Sequence, residues 1–351
     1  MRKVITIGMD MGDKNHRICV LDDSGEVKER STVVNTAAAI RKRFGKRKSC
    51  RIALEAGTHS GWVSRILEEL GHEVLVGNPR KLRVIWDSDE KGDDRDAEML
   101  ARIARFDPSL LHPIHHRGAQ AHADLAVIKA RDMLVKSRAS LISHVRGAVK
   151  CSGERIRSCG TEAFHRRALE ELPSQLALAL DPVIKSIEEL TKRIRHYDGL
   201  IQKISERDYP ETEKLRAIRG VGPITALAYV LTLEESTRFK KSREVGPFLG
   251  LTPKRDQSGQ TDKQLRITKA GDAYLRRLLV GSAQYILGPF GQDCDLRRFG
   301  LKLAERGGKN AKRRAVVAVA RKLAVLLHRL WSSEVAYDPH YQLNRKEKKA
   351  A

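Results

Sequence analysis

The chain has 351 residues, and its 67 Lys and Arg against 44 Asp and Glu give a formal net charge of +23. An excess of this size favours polyanionic partners, with nucleic acid ahead of a membrane surface. A hydrophobic content of 41% excludes wholesale disorder, and the length allows two or three domains. We find no run of about 18 apolar residues and no signal peptide, so we expect a cytoplasmic protein without a membrane partner. Scattered cysteines with no CxxC pair predict reduced thiols.

The first hundred residues predict a mixed α/β domain. Three apolar segments joined by short turns are typical of an antiparallel meander, and two further strands alternate with amphipathic helices. The predicted strands are 4–10, 16–23, 27–34, 51–57 and 72–77, and the predicted helices are 36–46 and 60–71.

Four carboxylates fall where such a domain binds ligands. Asp10 and Glu55 end predicted strands, and Asp93 and Asp96 begin a predicted helix at a spacing that shares one face. If they converge, they form an oxygen-ligand site for one or two Mg²⁺ ions, which can clamp the attacking and leaving oxygens of a phosphodiester. Each acid alone is more readily explained as a helix cap or a turn residue, but the four in this order favour a functional site.

Two apolar stripes in the middle of the chain predict long helices. Apolar pairs recur every seven residues at 127/128, 134/135 and 141/142. The second stripe is Val183, Ile187, Leu190, Ile194, Tyr197, Ile201 and Ile204. Both stripes fit either two helices packed within one chain or a coiled coil between chains. Their basic flanks could hold nucleic acid or serve only as a solvated face.

The segment LRAIRGVGPITALAYV at 215–230 predicts a second kind of nucleic-acid contact. Gly220 and Gly222 enclose a tight turn, and Pro223 is placed to open a helix at its first position. This pattern is typical of a helix-hairpin-helix, which holds a DNA phosphate at a helix N-terminus without reading sequence. A glycine-rich helix cap is the alternative interpretation.

A basic segment at 247–277 contains one Ser-Gly pair, Ser258 and Gly259. The pair is a common turn, but a serine among phosphate-binding charges could also be a nucleophile. The candidate nucleic-acid-binding cations are Lys254, Arg255, Lys263, Arg266, Lys269 and Arg276. Beyond them, 307–331 predicts a basic amphipathic helix, followed by a charged tail that we expect to be mobile.

Several of these motifs together resemble one family. IGMDMGDKNHRICVLD, ALEAGTHSGW and KGDDRDAEMLA resemble the RuvC-like domain of the DEDD transposases, bacterial insertion-sequence recombinases guided by a bridge RNA. The family motif usually reads Lys, then Thr or Asn, then D-x-x-D-A, and Gly92 stands here in place of the polar residue. Asp94 is a second candidate for the third acid, although the spacing to Asp96 favours Asp93. The GL-x-P, Ser-Gly and I-x-K-x-G motifs at 250–271 resemble the family's second domain and identify Ser258 as its serine by position.

The resemblance implies a DNA transposase or recombinase that rejoins donor and target DNA through a phosphoserine. It implies Mg²⁺ or Mn²⁺ as cofactor, one composite centre of acids and serine, a bridge RNA, and a dimer or tetramer associated with the nucleoid. The implied fold is an α/β RNase H-like N-terminal domain, an all-α coiled-coil linker and a mostly helical C-terminal domain with a helix-hairpin-helix. The expected boundaries are 1–110, 111–208 and 209–335, with a basic tail at 336–351.

Three alternatives stay open. In a metal-only nuclease resembling a Holliday-junction resolvase, Ser258 would be a turn residue and Asp10 would still be essential. A non-catalytic relative would bind DNA or RNA with a steep salt dependence and leave every strand whole. Site-specific inversion of DNA, as in the similar Piv-type invertases, is the third.

Overall fold

The computed structural model describes residues 5–82, 92–259 and 261–350 of the chain. Contacts divide the chain into two compact units, Met1–Ala119 and Gln120–Ala351. The finer division into four segments stays a prediction. Of the helices in the described ranges, none is both long and apolar enough to cross a membrane.

The first unit is built on a five-stranded mixed sheet with the strand order β3-β2-β1-β4-β5. The strands are β1 (Thr6–Met11), β2 (Asn15–Leu21), β3 (Val27–Val34), β4 (Arg51–Glu55) and β5 (Glu73–Gly77). The first three form the predicted antiparallel meander, whereas β4 runs parallel to both β1 and β5. The mixed α/β prediction is confirmed, and the arrangement is compatible with an RNase H-like fold.

Helices cover both faces of this sheet. The helices are α1 (Ala37–Phe44), α2 (Ser60–Glu69) and α3 (Asp93–Phe106). Ile7 and Met9 of β1 are buried in the cluster formed with α1 and α2. Because successive strand side chains point to opposite faces, Gly8 lies on the other face, against α3.

Gly8 is the point of closest approach between α3 and the sheet. A β-carbon added to Gly8 would lie 1.8 Å from the carbonyl oxygen of Ala97 and 2.6 Å from the amide nitrogen of Ala101. Both alanines are fully buried. The absence of a side chain at Gly8 therefore sets the distance between β1 and the helix that begins with Asp93 and Asp96.

Both central stripes are helical, and they pack on each other. The helices of this region are α4 (Ala119–Cys151), α5 (Phe164–Glu170) and α6 (Ala177–Asp208). Ile142 and Val145 of α4 share a buried cluster with Ile184 and Ile187 of α6. This packing within one chain is one of the two arrangements that the sequence left open.

Polar contacts show that α4 and α6 run antiparallel. Arg131 Nε lies 2.7 Å from Asp198 Oδ1, and Arg138 Nη1 donates to Thr191 Oγ1 at 3.1 Å. In these two contacts the residue number increases along α4 while it decreases along α6, as expected for antiparallel helices. Arg138 is buried, and burial lowers its pKa.

The rest of the second unit is mostly helical, as predicted. Its helices are α7 (Thr212–Arg216), α8 (Pro223–Leu233), α9 (Val245–Phe248), α10 (Ala273–Leu287), α11 (Asp295–Ala304), α12 (Ala311–Trp331) and α13 (Tyr341–Ala350). Helix α8 is the centre of the core, with every residue from Thr225 to Leu233 buried. The hydroxyl of Tyr229 donates to the carbonyl of Ala324 in α12 at 2.6 Å, which ties the two helices together.

Two segments have more regular structure than the sequence suggested. The segment around Ser258 is an antiparallel hairpin of β6 (Pro253–Ser258) and β7 (Thr261–Ile267). The tail expected to be mobile contains helix α13. Its start is held by the amide of Gln342, which donates to Asp295 Oδ2 at 2.8 Å, and by Asn344 Nδ2, which donates to Asp338 Oδ2 at 2.9 Å.

Candidate active site

Two of the four predicted acids lie at the ends of neighbouring parallel strands. Asp10 is next to last in β1, and Glu55 is the last residue of β4. Both are half-buried. Burial raises the pKa of Asp10 to about 6, and the charges of Asp93 and Asp96 add to the effect. Burial, with the charges of Asp10 and Asp96, raises the pKa of Glu55 to about 7. The four carboxylates therefore share one electrostatic environment.

The first turn of α3 distinguishes the two candidates for the third acid, Asp93 and Asp94, because their side chains point in different directions. Gly92 precedes the helix in extended conformation, and Asp93, Asp94 and Asp96 form its first turn. Asp94 turns toward Arg17, with Oδ1 3.8 Å from Nε, and lines a cavity with Arg30 that contains none of the four predicted acids. Asp93, by contrast, acts on Asp10. This placement supports Asp93 over Asp94.

The donor set fits a divalent cation in its chemistry, although the acids are not gathered around one point. Across 5–82, 92–259 and 261–350, no group of three or more His, Cys, Asp or Glu side chains could hold a metal ion as placed. Carboxylate oxygens are nevertheless the ligands that Mg²⁺ prefers. A cation would also offset the burial and the mutual repulsion that raise the pKa of Asp10 and Glu55. Asp10, Glu55, Asp93 and Asp96 are thus the residues that would hold it.

The raised pKa values of these half-buried acids predict a pH-dependent stability. The pKa values of Asp10 and Glu55, about 6 and 7, exceed the usual 3.8 and 4.5. Between about pH 4 and 7 the folded unit therefore binds more protons than the unfolded chain, and its metal-free stability falls as pH rises. Asp10→Asn removes one repelling charge, so we expect its melting temperature in EDTA at pH 8 to exceed that of wild type by ~3 °C. The advantage should shrink toward pH 4.

Scanning fluorimetry from pH 4 to 8 measures this difference. Asp13→Asn is the matched control, because the Asp13 side chain is 91% exposed in the turn after β1. Adding Mg²⁺ should raise the melting temperature of wild type more than that of Asp10→Asn. Equal pH profiles for wild type and Asp10→Asn would contradict the proposed electrostatic coupling.

Ser258 lies at the end of the β6–β7 hairpin. It pairs with Thr261 in the last position of the ladder, and Gly259 follows with φ +52°. Its side chain is exposed, and its hydroxyl makes no hydrogen bond to the described part of the chain. A free hydroxyl beside a positive-φ glycine is a feature shared by a simple turn and an accessible nucleophile.

The predicted cations of the hairpin do not all lie on the face that carries Ser258. Side chains alternate along β6, so Asp256 shares the face of Ser258, whereas Arg255 points away and pairs with Asp262 at 2.9 Å. Sequence analysis did not single out Asp256, because its position beside Ser258 depends on the alternation of side chains along β6. Lys254, Arg266 and Lys269 are exposed, and the side chain of Lys263 lies outside the described residues.

Arg276 holds the base of the hairpin. Its Nη1 donates to the carbonyl oxygens of Leu249 and Ala270 at 2.9 and 2.7 Å. A β-carbon on Gly250 would lie 2.2 Å from the amide nitrogen of Ala270, and one on Gly271 would lie 2.1 Å from the carbonyl oxygen of Phe248. The motif glycines therefore let two backbone segments touch directly below the hairpin that carries Ser258.

The predicted turn between Gly220 and Gly222 joins α7 to α8. Gly220 has φ +94°, and Pro223 occupies the first turn of α8 as expected. A β-carbon on Gly220 would lie 2.9 Å from Cδ1 of Tyr285, whereas one on Gly222 would meet nothing within 4 Å. Helix α7 has only five residues. A phosphate contact at this turn stays a prediction.

Two models of known protein families match this chain, one in its N-terminal part and one in its C-terminal part. A DEDD transposase model of the IS110 type, described as "Transposase", matches residues 7–151. A second model, described as "Transposase IS116/IS110/IS902 family", matches residues 212–290. The first match contains all four acids, and the second contains Ser258 and the hairpin.

Three curated relatives are similar over most of their lengths. The transposase for insertion sequence element IS1111A of Coxiella burnetii is 27% identical over 96% of this chain and 92% of its own. A probable family 20 transposase of Pseudomonas aeruginosa is 27% identical over 95% and 98%. The transposase for insertion sequence element IS1328 of Yersinia enterocolitica is 28% identical over 81% and 84%. The chain belongs to the IS110/IS116 family of DEDD-type insertion-sequence transposases.

Proposed function

We propose that this transposase cuts and rejoins DNA with Ser258 as nucleophile and Asp10, Glu55, Asp93 and Asp96 as a site for Mg²⁺ or Mn²⁺. The observation that carries the proposal is the placement of Asp10 and Glu55 at the ends of adjacent parallel strands, within electrostatic reach of Asp93 and Asp96 in the first turn of α3. A cluster of half-buried acids with raised pKa values is typical of functional sites. The exposed position of Ser258 supports the second half of the proposal.

The bond changes are those of a transesterification. Ser258 Oγ forms a bond to phosphorus while the bond from phosphorus to one deoxyribose oxygen breaks, and the serine proton ends on that oxygen. Attack by a deoxyribose hydroxyl of another strand reverses the step and frees Ser258. Because the phosphoserine preserves the diester bond energy, rejoining needs no external source of energy.

The chain's own groups have defined tasks in this scheme. Asp10 and Glu55, half-buried at the ends of β1 and β4, would hold the divalent ion together with Asp93 and Asp96. A divalent ion, when bound, would stabilise charge on the phosphate oxygens. Lys254 and Lys269 would add positive charge around the strand, since both are exposed near the hairpin.

The partners follow from the family and the charge. DNA is the substrate implied by a transposase, and the net charge of +23 suits it. We propose further that a bridge RNA selects donor and target, that the carboxylates and Ser258 form one composite centre across protomers, and that a dimer or tetramer acts in the cytoplasm at the nucleoid. The turn at Gly220 and Gly222 would hold DNA backbone as a helix-hairpin-helix. These proposals rest on the family resemblance.

Protein-linked DNA is the direct test. The protein would be expressed with its native flanking DNA, purified under denaturing conditions, and any attached DNA sequenced. Discrete attached ends support serine catalysis. Cleavage without attachment favours a metal-only nuclease, and neither cleavage nor attachment favours a binding protein.

A further inference from the structure

A cleft in the second unit has no role in the proposed chemistry. It encloses about 710 Å³ beside helix α12 and the segment that follows it. Buried Leu296 and Leu330 and half-buried Leu326 form an apolar floor. Five cations line the cleft, which are Arg243, Arg321, Lys322, Arg329 and Arg345. The cleft therefore combines an apolar interior with a basic rim.

The carboxylates in the cleft are already engaged. Asp295 accepts from Arg298 Nη2 and from the amide of Gln342, both at 2.8 Å. Asp338 accepts from the amide of His340 at 2.8 Å and from Asn344 Nδ2 at 2.9 Å. None of the five rim cations forms an ion pair with a carboxylate whose side chain the structure describes. Five cations against two occupied acids make the cleft an anion site.

The rim cations are held in position by aromatic and polar contacts. His328 in α12 contacts Ser242 Oγ and the carbonyl of Ser236, both at 2.9 Å, which fixes the turn that carries Arg243. Lys322 Nζ lies 3.8 Å from the centre of the Phe299 ring, and the Arg329 guanidinium lies 4.9 Å from that of Tyr341. Such preorganisation lowers the entropic cost of binding.

We propose that this cleft binds an unpaired nucleotide of a single-stranded nucleic-acid segment, with the base on the apolar floor and the phosphates on Arg321 and Arg329. A duplex keeps its bases stacked inside and could reach only the rim. Inorganic phosphate would leave the floor empty. The volume lies within the range of about 300–1,000 Å³ typical of small-ligand sites. The proposal deepens the recombinase function, since strand exchange exposes unpaired nucleotides.

Fluorescence anisotropy at fixed salt tests this without requiring catalysis. Labelled dT12, U12 and a blunt 12-base-pair duplex would each be titrated with Ser258→Ala protein and with the same protein carrying Arg321→Gln and Arg329→Gln. Both arginines are exposed, so the fold should persist. Two controls follow: Lys302→Gln removes one exposed charge from α11, and Ala336→Trp fills the cleft without changing its charge.

We expect the double variant to bind the single strands about tenfold more weakly and the duplex within about twofold of the parent. Ala336→Trp should reproduce the selective loss, whereas Lys302→Gln should change all three substrates equally and by less than about twofold. Comparable losses on dT12 and U12 would mean that the base and phosphate suffice, and a loss on one alone would identify DNA or RNA as the occupant. Equal weakening of single strands and duplex, or none, would overturn the proposal. Protein-linked DNA is measured separately, so either proposal can fail alone.

Discussion

Ser258→Ala is expected to abolish protein-linked DNA and to lower recombination by at least about a thousandfold, because no other group can form the Oγ–phosphorus bond. The exposed side chain has no described hydrogen-bond partner, so its removal should leave the melting temperature unchanged. The measurement is the yield of DNA attached to denatured protein, together with the joined product formed from a donor–target pair.

Gln257→Ala is the matched control for Ser258→Ala. Gln257 is the preceding residue of β6, equally exposed and on the opposite face of the hairpin. It should retain recombination within about twofold if that face does not contact the reacting phosphate. Full activity of Ser258→Ala would refute the nucleophile and leave Ser258 as a turn residue.

Gly8→Ala should destabilise the first unit by about 3 kcal/mol, because the added β-carbon would overlap the backbone of α3 at Ala97 and Ala101. The helix must move away from β1, and Asp93 and Asp96 move with it. A displacement of 1 Å at a catalytic site can cost about a hundredfold in rate. Urea unfolding and DNA cleavage by the same preparation measure both effects.

Gly61→Ala separates this effect from a general response to replacing glycine. Gly61 lies within α2, and its added β-carbon would meet nothing closer than 3.7 Å. This variant should be as stable as wild type or more stable by ~0.5–1 kcal/mol, as expected for alanine inside a helix. Gly8→Ala with wild-type stability would show that α3 can shift without cost.

The five strands and both central helices were predictable because local patterns determine them. Alternating apolar residues and short turns mark β1 to β3, and heptad spacing marks α4 and α6. The strand order was not predictable from these patterns. It depends on the parallel pairing of β4 with β1 and β5, strands that are distant in sequence, and no local period encodes such a pairing.

In the candidate site, too, some features could be predicted from local sequence and others depend on tertiary structure. The positions of Asp10 and Glu55 at strand ends follow from sequence, and the spacing to Asp96 already favours Asp93, but the contact of Asp94 with Arg17 could be found only in the structure. Arg255 was a reasonable phosphate ligand in a loop. Once the segment is a strand, alternation turns it away from Ser258 toward Asp262. Helix α13 escaped prediction because the contact of Gln342 with Asp295 is tertiary and joins residues 47 positions apart.

The structure of the β6–β7 hairpin implies that the reactivity of the proposed nucleophile, Ser258, depends on how the hairpin is supported. Every residue from Lys254 to Ser258 is exposed, so six residues of strand carry the hydroxyl about 20 Å from the tightly packed glycines at the base. An isolated two-stranded ribbon is only marginally stable in water. If Ser258 is the nucleophile, the outer end of the hairpin would need a docking surface to acquire a fixed geometry, and reactivity would then depend on assembly with DNA.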